Sequence, residues 1–150
     1  MLQTPDQATA ETPGIVDCNE IRQFWVQWSN GHVAIGNGYE VGFSPLVSWE
    51  DDNPHQVHYV ALSTGWGAVG EWRIEEEEVD HITALDTGVY PSNFTYASIL
   101  GRSSYVIVIT ACHGVFVELS EVPGNPKTRT YEVALGASDN TKSELRDGLD

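Results

Sequence analysis

The loop from Trp49 to His55 carries the densest set of side chains in this chain that could do chemistry. It reads Trp49, Glu50, Asp51, Asp52, Asn53, Pro54, His55. Carboxylate and amide oxygens can hold a hard cation such as Ca²⁺, and they can also hydrogen-bond the hydroxyl groups of a neutral ligand. The spacing of the acids is not that of an EF-hand loop, and adjacent acids at a strand end point in opposite directions.

A second candidate is Trp66, which stands between glycines in the turn Thr64 to Gly70. An aromatic ring exposed in a turn can stack on the apolar face of a ligand. Trp49, at a loop edge, is the other stacking candidate, and simple packing is the alternative for both rings. The remaining tryptophans lie in strand-like segments and are predicted to belong to the core; they are Trp25, Trp28 and Trp72.

Other polar groups are more scattered. Asp139 and Asn140, in a short polar loop, are a second candidate pair for a cation. The run Glu75 to Glu78 could bind calcium weakly, with a solvated acidic loop as the alternative. Three histidines could suggest a transition metal, with scattered surface histidines as the alternative reading; they are His55, His58 and His81.

The charge balance limits the partners. Seven Lys and Arg against 22 Asp and Glu give a formal charge of −15 and a pI near 4.4. Phosphate backbones and anionic membranes should repel such a chain, so we expect neither nucleic-acid binding nor membrane insertion. No apolar run approaches the roughly 18 residues of a membrane span. A role in solubility alone is the other explanation of the charge.

The apolar pattern predicts an all-β fold. Phe24, Val26 and Trp28 alternate with Trp25 and Gln27 at the period of two that places every second side chain on one sheet face. The dipeptide Asn30-Gly31 then favours a tight type I′ hairpin turn. No stretch of 12 or more residues shows a helical period. About 8–10 short strands separated by turns predict an antiparallel β-sandwich.

The domain organisation is simple. Residues 1–14 are polar and aperiodic and are predicted to be a disordered leader, and residues 15–150 to form one domain. The acidic segment 75–80 separates two half-motifs, 15–74 and 81–150. The segment Tyr39 to Val47 could form a short edge strand, interrupted at Pro45. Cys18 and Cys112 could be two buried thiols in a cytosolic protein or a disulfide in a secreted one.

Several motifs together resemble the farnesoic acid O-methyltransferase-like domain. The motifs similar to the second half of that domain are FWVQW at Phe24 to Trp28, then Gly31, Gly36 and Gly38, then Trp49 with its acids, then STGWGAVGEW at Ser63 to Trp72. The segment Tyr96 to Arg146 is similar to its first half. The order is reversed relative to the usual boundaries of the family, which suggests a permuted domain, a frame cut across a repeat array, or sheets completed by a second copy.

The residues do not support the methyltransferase activity that the family name suggests. Methyl transfer from S-adenosylmethionine usually needs an α/β sheet with a glycine-rich turn that opens a helix, and here Gly36-Asn37-Gly38 leads into a strand-like segment. We therefore expect a protein that is not an enzyme. The resemblance implies instead a secreted recognition module, similar to a calcium-dependent, galactose-binding invertebrate lectin.

This resemblance implies a set of partners, and the side-chain chemistry described above supplies the candidate site residues. Galactose-containing glycans would be the ligands, with Ca²⁺ as cofactor, and the protein would be a homodimer. The predicted sugar contacts are Trp66, Trp49, Asn53 and His55; the predicted Ca²⁺ ligands are Glu50, Asp51, Asp52, Asp139 and Asn140. A disulfide between Cys18 and Cys112 is implied as well, since both match family positions. The alternative function is a protein-interaction or dimerisation module without a small ligand.

Overall fold

The computed structural model describes twelve strands and one four-residue helix within residues 6–64, 70–75, 82–86, 95–98, 103–121 and 130–148. The elements in chain order are β1 (Asp6–Glu11), β2 (Arg22–Ser29), β3 (His32–Asn37), β4 (Pro45–Glu50), β5 (Tyr59–Thr64), β6 (Gly70–Glu75), β7 (Ile82–Asp86), β8 (Thr95–Ser98), β9 (Ser104–Ala111), β10 (Val115–Ser120), β11 (Thr130–Gly136), α1 (Ala137–Asn140) and β12 (Lys142–Gly148).

The strands form two antiparallel sheets of six strands each. The first sheet has the order β1-β12-β11-β10-β5-β8, and the second has the order β4-β3-β2-β9-β6-β7. The predicted all-β antiparallel sandwich is therefore confirmed. The described residues contain twelve strands rather than the predicted eight to ten, because short polar strands such as β1 and β12 lack the apolar alternation that reveals a strand in sequence.

The core lies between the two sheets. Phe24, Val26 and Trp28 point from β2 into one apolar cluster, as the alternation predicts. The first sheet contributes residues that are buried completely, among them Val117, Leu119, Val133, Leu135 and Leu145. The apolar area removed from water at this contact is the main favourable term that holds the sheets together.

The β2–β3 hairpin turns at Asn30-Gly31, as predicted. Ser29 pairs with His32, and the two turn residues have φ angles of 51° and 85°. Positive φ at both central positions defines the type I′ geometry, which matches the twist of the flanking strands. These two residues therefore determine the type of the turn. The turn places Trp28 and Val33 at the same end of the sandwich.

The opposite end of this hairpin is covered by the loop of residues 38–44. The predicted strand Tyr39 to Val47 is wrong over this range, since β4 begins only at Pro45. The indole Nε1 of Trp25 donates to the carbonyl oxygen of Phe43 at 2.6 Å. A Cβ atom at Gly36 would lie 2.1 Å from the Trp25 ring, so glycine at this position makes room for the indole.

The predicted disordered leader is wrong for the part of it that the structure describes. Asp6–Glu11 forms β1, an edge strand that pairs antiparallel with β12. The amides of Thr12 and Gly14 then donate to the carbonyls of Thr141 and Asn140, both at 2.9 Å. A polar segment becomes ordered here because its backbone groups are hydrogen-bonded by a strand far away in sequence, a contact that local composition does not reveal.

The segment after β1 is also tied down covalently. Cys18 and Cys112 form a disulfide, with their Cα atoms 4.3 Å apart and 94 positions apart in sequence. The implied pairing is therefore confirmed. Of the predicted boundary 75–80, only Glu75, the last residue of β6, lies within the described residues. No helix in the described ranges is long and apolar enough to cross a membrane.

Candidate functional site

An open cavity of about 310 Å³ lies at the end of the sandwich where the β2–β3 turn meets the segment after β4. Its size falls at the lower end of the range found for small-ligand sites. The lining residues come from three separate parts of the chain; they are Trp28, Asn30, Gly31, Val33, Pro54, His55, Gln56, Val57 and Tyr131. We call this feature the hairpin cavity.

Tyr131 is the best-anchored of these residues. It is the second residue of β11, pairs with Leu119 of β10, and is almost completely buried. Its hydroxyl donates to Oδ2 of Asp51 at 2.6 Å. A hydrogen bond to a charged carboxylate is stronger than one between neutral groups, so it fixes the ring against the loop that follows β4.

Asp51 in turn organises that loop. Its Oδ1 accepts the backbone amide of Asn53 at 2.9 Å, and its own amide donates to the carbonyl of Gly31 at 2.8 Å. The residue is only 9% exposed. Because a buried carboxylate needs donors around it, these contacts explain why an acidic residue is tolerated beneath the cavity.

His55 supplies the wall opposite the hairpin. Its imidazole stacks on the Tyr131 ring, with centroids 4.1 Å apart and planes inclined by 27°. Its Nδ1 lies 2.8 Å from the carbonyl oxygen of Gln56. A carbonyl oxygen only accepts, so Nδ1 carries the proton, and in the neutral ring Nε2 is the acceptor.

Gln56 is held from its other side by a second histidine. Nε2 of His58 lies 2.8 Å from Oε1 of the Gln56 amide. Since the amide oxygen accepts from His58, the amide NH₂ group of Gln56 keeps its two donors for other partners. Gln56 therefore offers amide donors at the edge of the cavity, whereas Nδ1 of His55 is used by the Gln56 carbonyl and its Nε2 is buried.

The hairpin side of the cavity depends on a glycine. A Cβ atom at Gly31 would lie 2.5 Å from the carbonyl oxygen of Asp51 and 3.5 Å from the ring of Pro54. The close approach of the turn to the acidic loop thus requires glycine at this position, in addition to its positive φ.

The chemistry of the lining suits a neutral ligand with an apolar face. Aromatic rings and aliphatic groups form most of the surface, and the polar groups are an asparagine, a glutamine and a histidine. The lining residues include neither lysine nor arginine that could bind a carboxylate or phosphate. A ligand could stack on the rings and hydrogen-bond to the rim.

The structure brings part of the predicted sugar-contact set together. His55 lines the hairpin cavity. Half-buried Trp49 packs edge-on against Tyr131, with centroids 6.2 Å apart, so it supports the cavity from beside it. Asn53 is exposed, and its backbone amide binds Asp51. Trp66 lies outside the described residues.

The five predicted Ca²⁺ ligands lie in two separate regions. Exposed Glu50 lies 2.5 Å from Nδ1 of His32, whereas Asp51 turns inward to Tyr131 and Asp52 is exposed. This divergence follows from strand geometry, which sends neighbouring side chains to opposite faces. In the second region, Asn140 exchanges two hydrogen bonds with the backbone of Val16, and Asp139 is exposed.

Within the described ranges, no three residues among His, Cys, Asp and Glu come close enough together to hold a metal ion. Calcium binding by these residues therefore stays a prediction. Asn140 has an evident structural function instead, because its amide ties α1 to the segment that leads to Cys18.

Sequence reasoning missed several residues of the cavity. Trp28 was predicted as core, which is correct, but it also lines the cavity. Tyr131, Gln56 and Val57 carried no signal as site residues. Tyr131 is 80 positions from its partner Asp51, so only the fold shows that they meet. The Asn30-Gly31 turn could have been recognised as part of the site, because a tight turn lets the backbone approach neighbouring segments closely.

The fold defines the class as an all-β sandwich, and the described residues include an open cavity near a hairpin turn. A family model described as farnesoic acid O-methyltransferase matches residues 1–78, just over half of the chain. The chain therefore belongs to that family. A search of curated proteins finds no match. The family is named after a methyltransferase, yet here Gly36-Asn37-Gly38 leads from β3 into the loop 38–44 and not into a helix.

Proposed function

We propose that this protein is a lectin, which binds terminal galactose-type sugars in the hairpin cavity without a chemical reaction. The observation that carries the proposal is the half-buried imidazole of His55, which stacks on the buried Tyr131 ring and lies beside the exposed Gln56 in a cavity of about 310 Å³. Sugars offer the complementary surface, with apolar C–H groups on one face and hydroxyls around the edge.

Charge supports the same ligand class. The chain carries a formal charge of −15, and the lining of the cavity is free of lysine and arginine. The negative charge of the protein would repel uronic acids, sialic acids and sulfated sugars, and it would not repel neutral sugars. The restriction to galactose-type sugars comes from the family resemblance, and the neutral-sugar class comes from the cavity itself.

Calcium and the cellular location are further parts of the proposal. A calcium ion could accept vicinal sugar hydroxyls as two of its oxygen ligands. The disulfide supports an extracellular location, because such bonds persist mainly in oxidising compartments. The homodimer is proposed on the resemblance alone.

The test is a comparison of three variants in titrations with galactose and with mannose. We expect galactose to bind the wild-type protein, and both His55→Ala and Gln56→Ala to weaken the binding by about tenfold or more, a loss of roughly 1.4 kcal/mol. Removal of His55 takes away a stacking wall, and removal of Gln56 takes away amide donors.

His113→Ala is the matched control. His113 lies in the β9–β10 turn, at the end of β10 that is remote from Leu119 and its partner Tyr131. At about 3.4 Å per strand residue it is roughly 20 Å from the cavity. Equal galactose affinity in all three variants and the wild-type protein would place the sugar elsewhere, and equal binding of mannose would remove the galactose specificity.

A further inference from the structure

A second surface, separate from the hairpin cavity, exposes large apolar side chains. Four of them stand out among the described residues: Ile21 is 60% exposed, Tyr39 58%, Val41 39% and Phe43 66%. They lie at the start of β2 and in the loop 38–44, which faces it. We call this set the apolar loop surface. The length of β2 separates it from the hairpin cavity by roughly 20–25 Å.

Backbone hydrogen bonds bring these residues together. The amide of Gly38 donates to the carbonyl of Gln23 at 2.8 Å, which sets the loop beside the first residues of β2. The side-chain amide of Gln23 also donates to the hydroxyl of Tyr39. Ile21 is two positions before Gln23, and Val41 and Phe43 belong to the same loop as Tyr39, so the four exposed residues lie in two segments that these hydrogen bonds place side by side.

The loop is built as a fixed structure. Asn37 donates to the carbonyl of Ser44 at 3.0 Å, and Phe43 donates to the carbonyl of Glu40 at 3.0 Å, which closes the turn. The buried indole of Trp25 holds the carbonyl of Phe43 from beneath. The loop thus keeps aromatic and aliphatic side chains exposed to water while these hydrogen bonds hold its backbone, and exposed apolar clusters mark interaction sites.

The rim of this surface is acidic. Glu40 is exposed within the loop, and Glu20, adjacent to Ile21, has a side chain that is 66% exposed. The nearby cation is Arg22, which already contacts Asp17 at 3.6 Å and Glu20 at 3.2 Å. Among the residues that the structure describes here, three acids against one arginine give the rim a net negative charge.

We propose that the apolar loop surface binds a polypeptide segment in which apolar side chains are surrounded by lysine or arginine. Apolar contacts at the centre and complementary charges at the rim are the usual anatomy of a protein interface. A second copy of this chain fits less well, because a two-fold contact would bring the same acidic rims together. The overall charge of −15 acts in the same direction.

The probe is a synthetic amphipathic peptide of leucine and lysine, about 18 residues long, with a leucine–glutamate peptide as its counterpart. We expect the basic peptide to bind the full chain, and to bind more weakly as salt rises from about 10 mM to about 500 mM. The acidic peptide should not bind. Equal binding of the two peptides would overturn the proposal.

Three variants locate the contact. Phe43→Ser should weaken peptide binding by about tenfold or more, since an aromatic anchor is lost. Its fold should survive, because the Trp25 hydrogen bond uses the backbone carbonyl of Phe43; an unchanged unfolding midpoint checks this. Glu40→Gln should weaken binding several-fold. Glu11 is also exposed but lies on β1, outside the loop, and Glu11→Gln should leave binding unchanged.

Three other results would contradict the proposal. Undiminished peptide binding by Phe43→Ser would show only general attraction to an acidic protein. Binding to zwitterionic vesicles that depends on Phe43, in place of peptide binding, would assign the surface to lipid. A dimer of the wild-type chain that Phe43→Ser dissociates would assign it to a second copy. Galactose binding is measured separately, so the two proposals can fail independently.

Discussion

The hydroxyl of Tyr131 and the carboxylate of Asp51 are 2.6 Å apart, although 80 positions separate the two residues in the chain. This contact joins β11 of the first sheet to the loop that follows β4 of the second sheet. It therefore fixes the wall of the hairpin cavity by a bond between the two layers of the sandwich.

Removal of the Tyr131 hydroxyl should destabilise the protein. In Tyr131→Phe, Asp51 loses a donor while it stays buried, which typically costs about 1–3 kcal/mol. Urea unfolding followed by tryptophan fluorescence measures the change. Tyr39→Phe is the matched control, since the Tyr39 hydroxyl bonds Gln23 at an exposed site and its loss should cost less than about 0.5 kcal/mol. Equal stability of Tyr131→Phe and the wild-type protein would contradict the role of this contact.

A methyl group at Gly31 should lower the free energy of unfolding by more than the strain of its positive φ alone would. Gly31→Ala would place Cβ 2.5 Å from the Asp51 carbonyl oxygen, whereas Gly38 has a similar positive φ and nothing within 4 Å of its Cβ position. Gly38→Ala therefore measures the conformational strain, and the extra destabilisation in Gly31→Ala measures the steric clash. We expect this difference to be about 1–3 kcal/mol in urea unfolding. Identical losses in the two variants would show that the turn and the loop can move apart.

The disulfide should account for a large share of the stability. It closes a loop of 94 positions, for which the chain-entropy model gives about 4–5 kcal/mol. We expect Cys18→Ser combined with Cys112→Ser to lower the free energy of unfolding by several kcal/mol. A loss under about 1 kcal/mol would mean that the hydrogen bonds of Thr12 and Gly14 hold this segment without the bridge.

The anchoring of α1 gives a further prediction. Asn140 lies in a left-handed turn and exchanges hydrogen bonds of 2.8 and 3.3 Å with the backbone of Val16. Asn140→Gly keeps the positive φ accessible but removes the amide, so it should destabilise the fold by about 1–2 kcal/mol. Asp139→Gly, at an exposed neighbour with φ of 60°, is the control and should leave stability unchanged or raise it. The same loss in both variants would contradict a specific role of the Asn140 amide.

The sequence predicted those strands and turns that are marked by a local pattern of residues. The hairpin from Phe24 to Ile35 has apolar alternation and an Asn-Gly turn, and the structure contains it in the predicted register. β9 has the β-branched run YVIVIT, which is a comparable local signal for a strand. β1 and β12 were missed because DQATAE and KSELRDG are polar, and they are strands only through pairing with each other and with β11.

The candidate site was predictable only in part, for a related reason. The loop Trp49 to His55 was identified because it is dense in carboxylate, amide, imidazole and indole side chains, and two of its residues, Pro54 and His55, line the cavity. Tyr131 comes from a strand 80 positions later, and its sequence surroundings give no sign of a site. The local pattern also could not show that Asp51 and Asn140 are used for internal hydrogen bonds.

The most direct test of the lectin proposal is isothermal titration of the wild-type protein with lactose, run once with millimolar calcium and once with excess chelator. We expect lactose to bind, and binding that appears only with calcium would support the complete proposal, including the metal. Binding that is indifferent to calcium would keep the hairpin cavity as the sugar site and remove the cation. The absence of heat in both runs, checked by a second method such as chemical-shift titration, would contradict the lectin function.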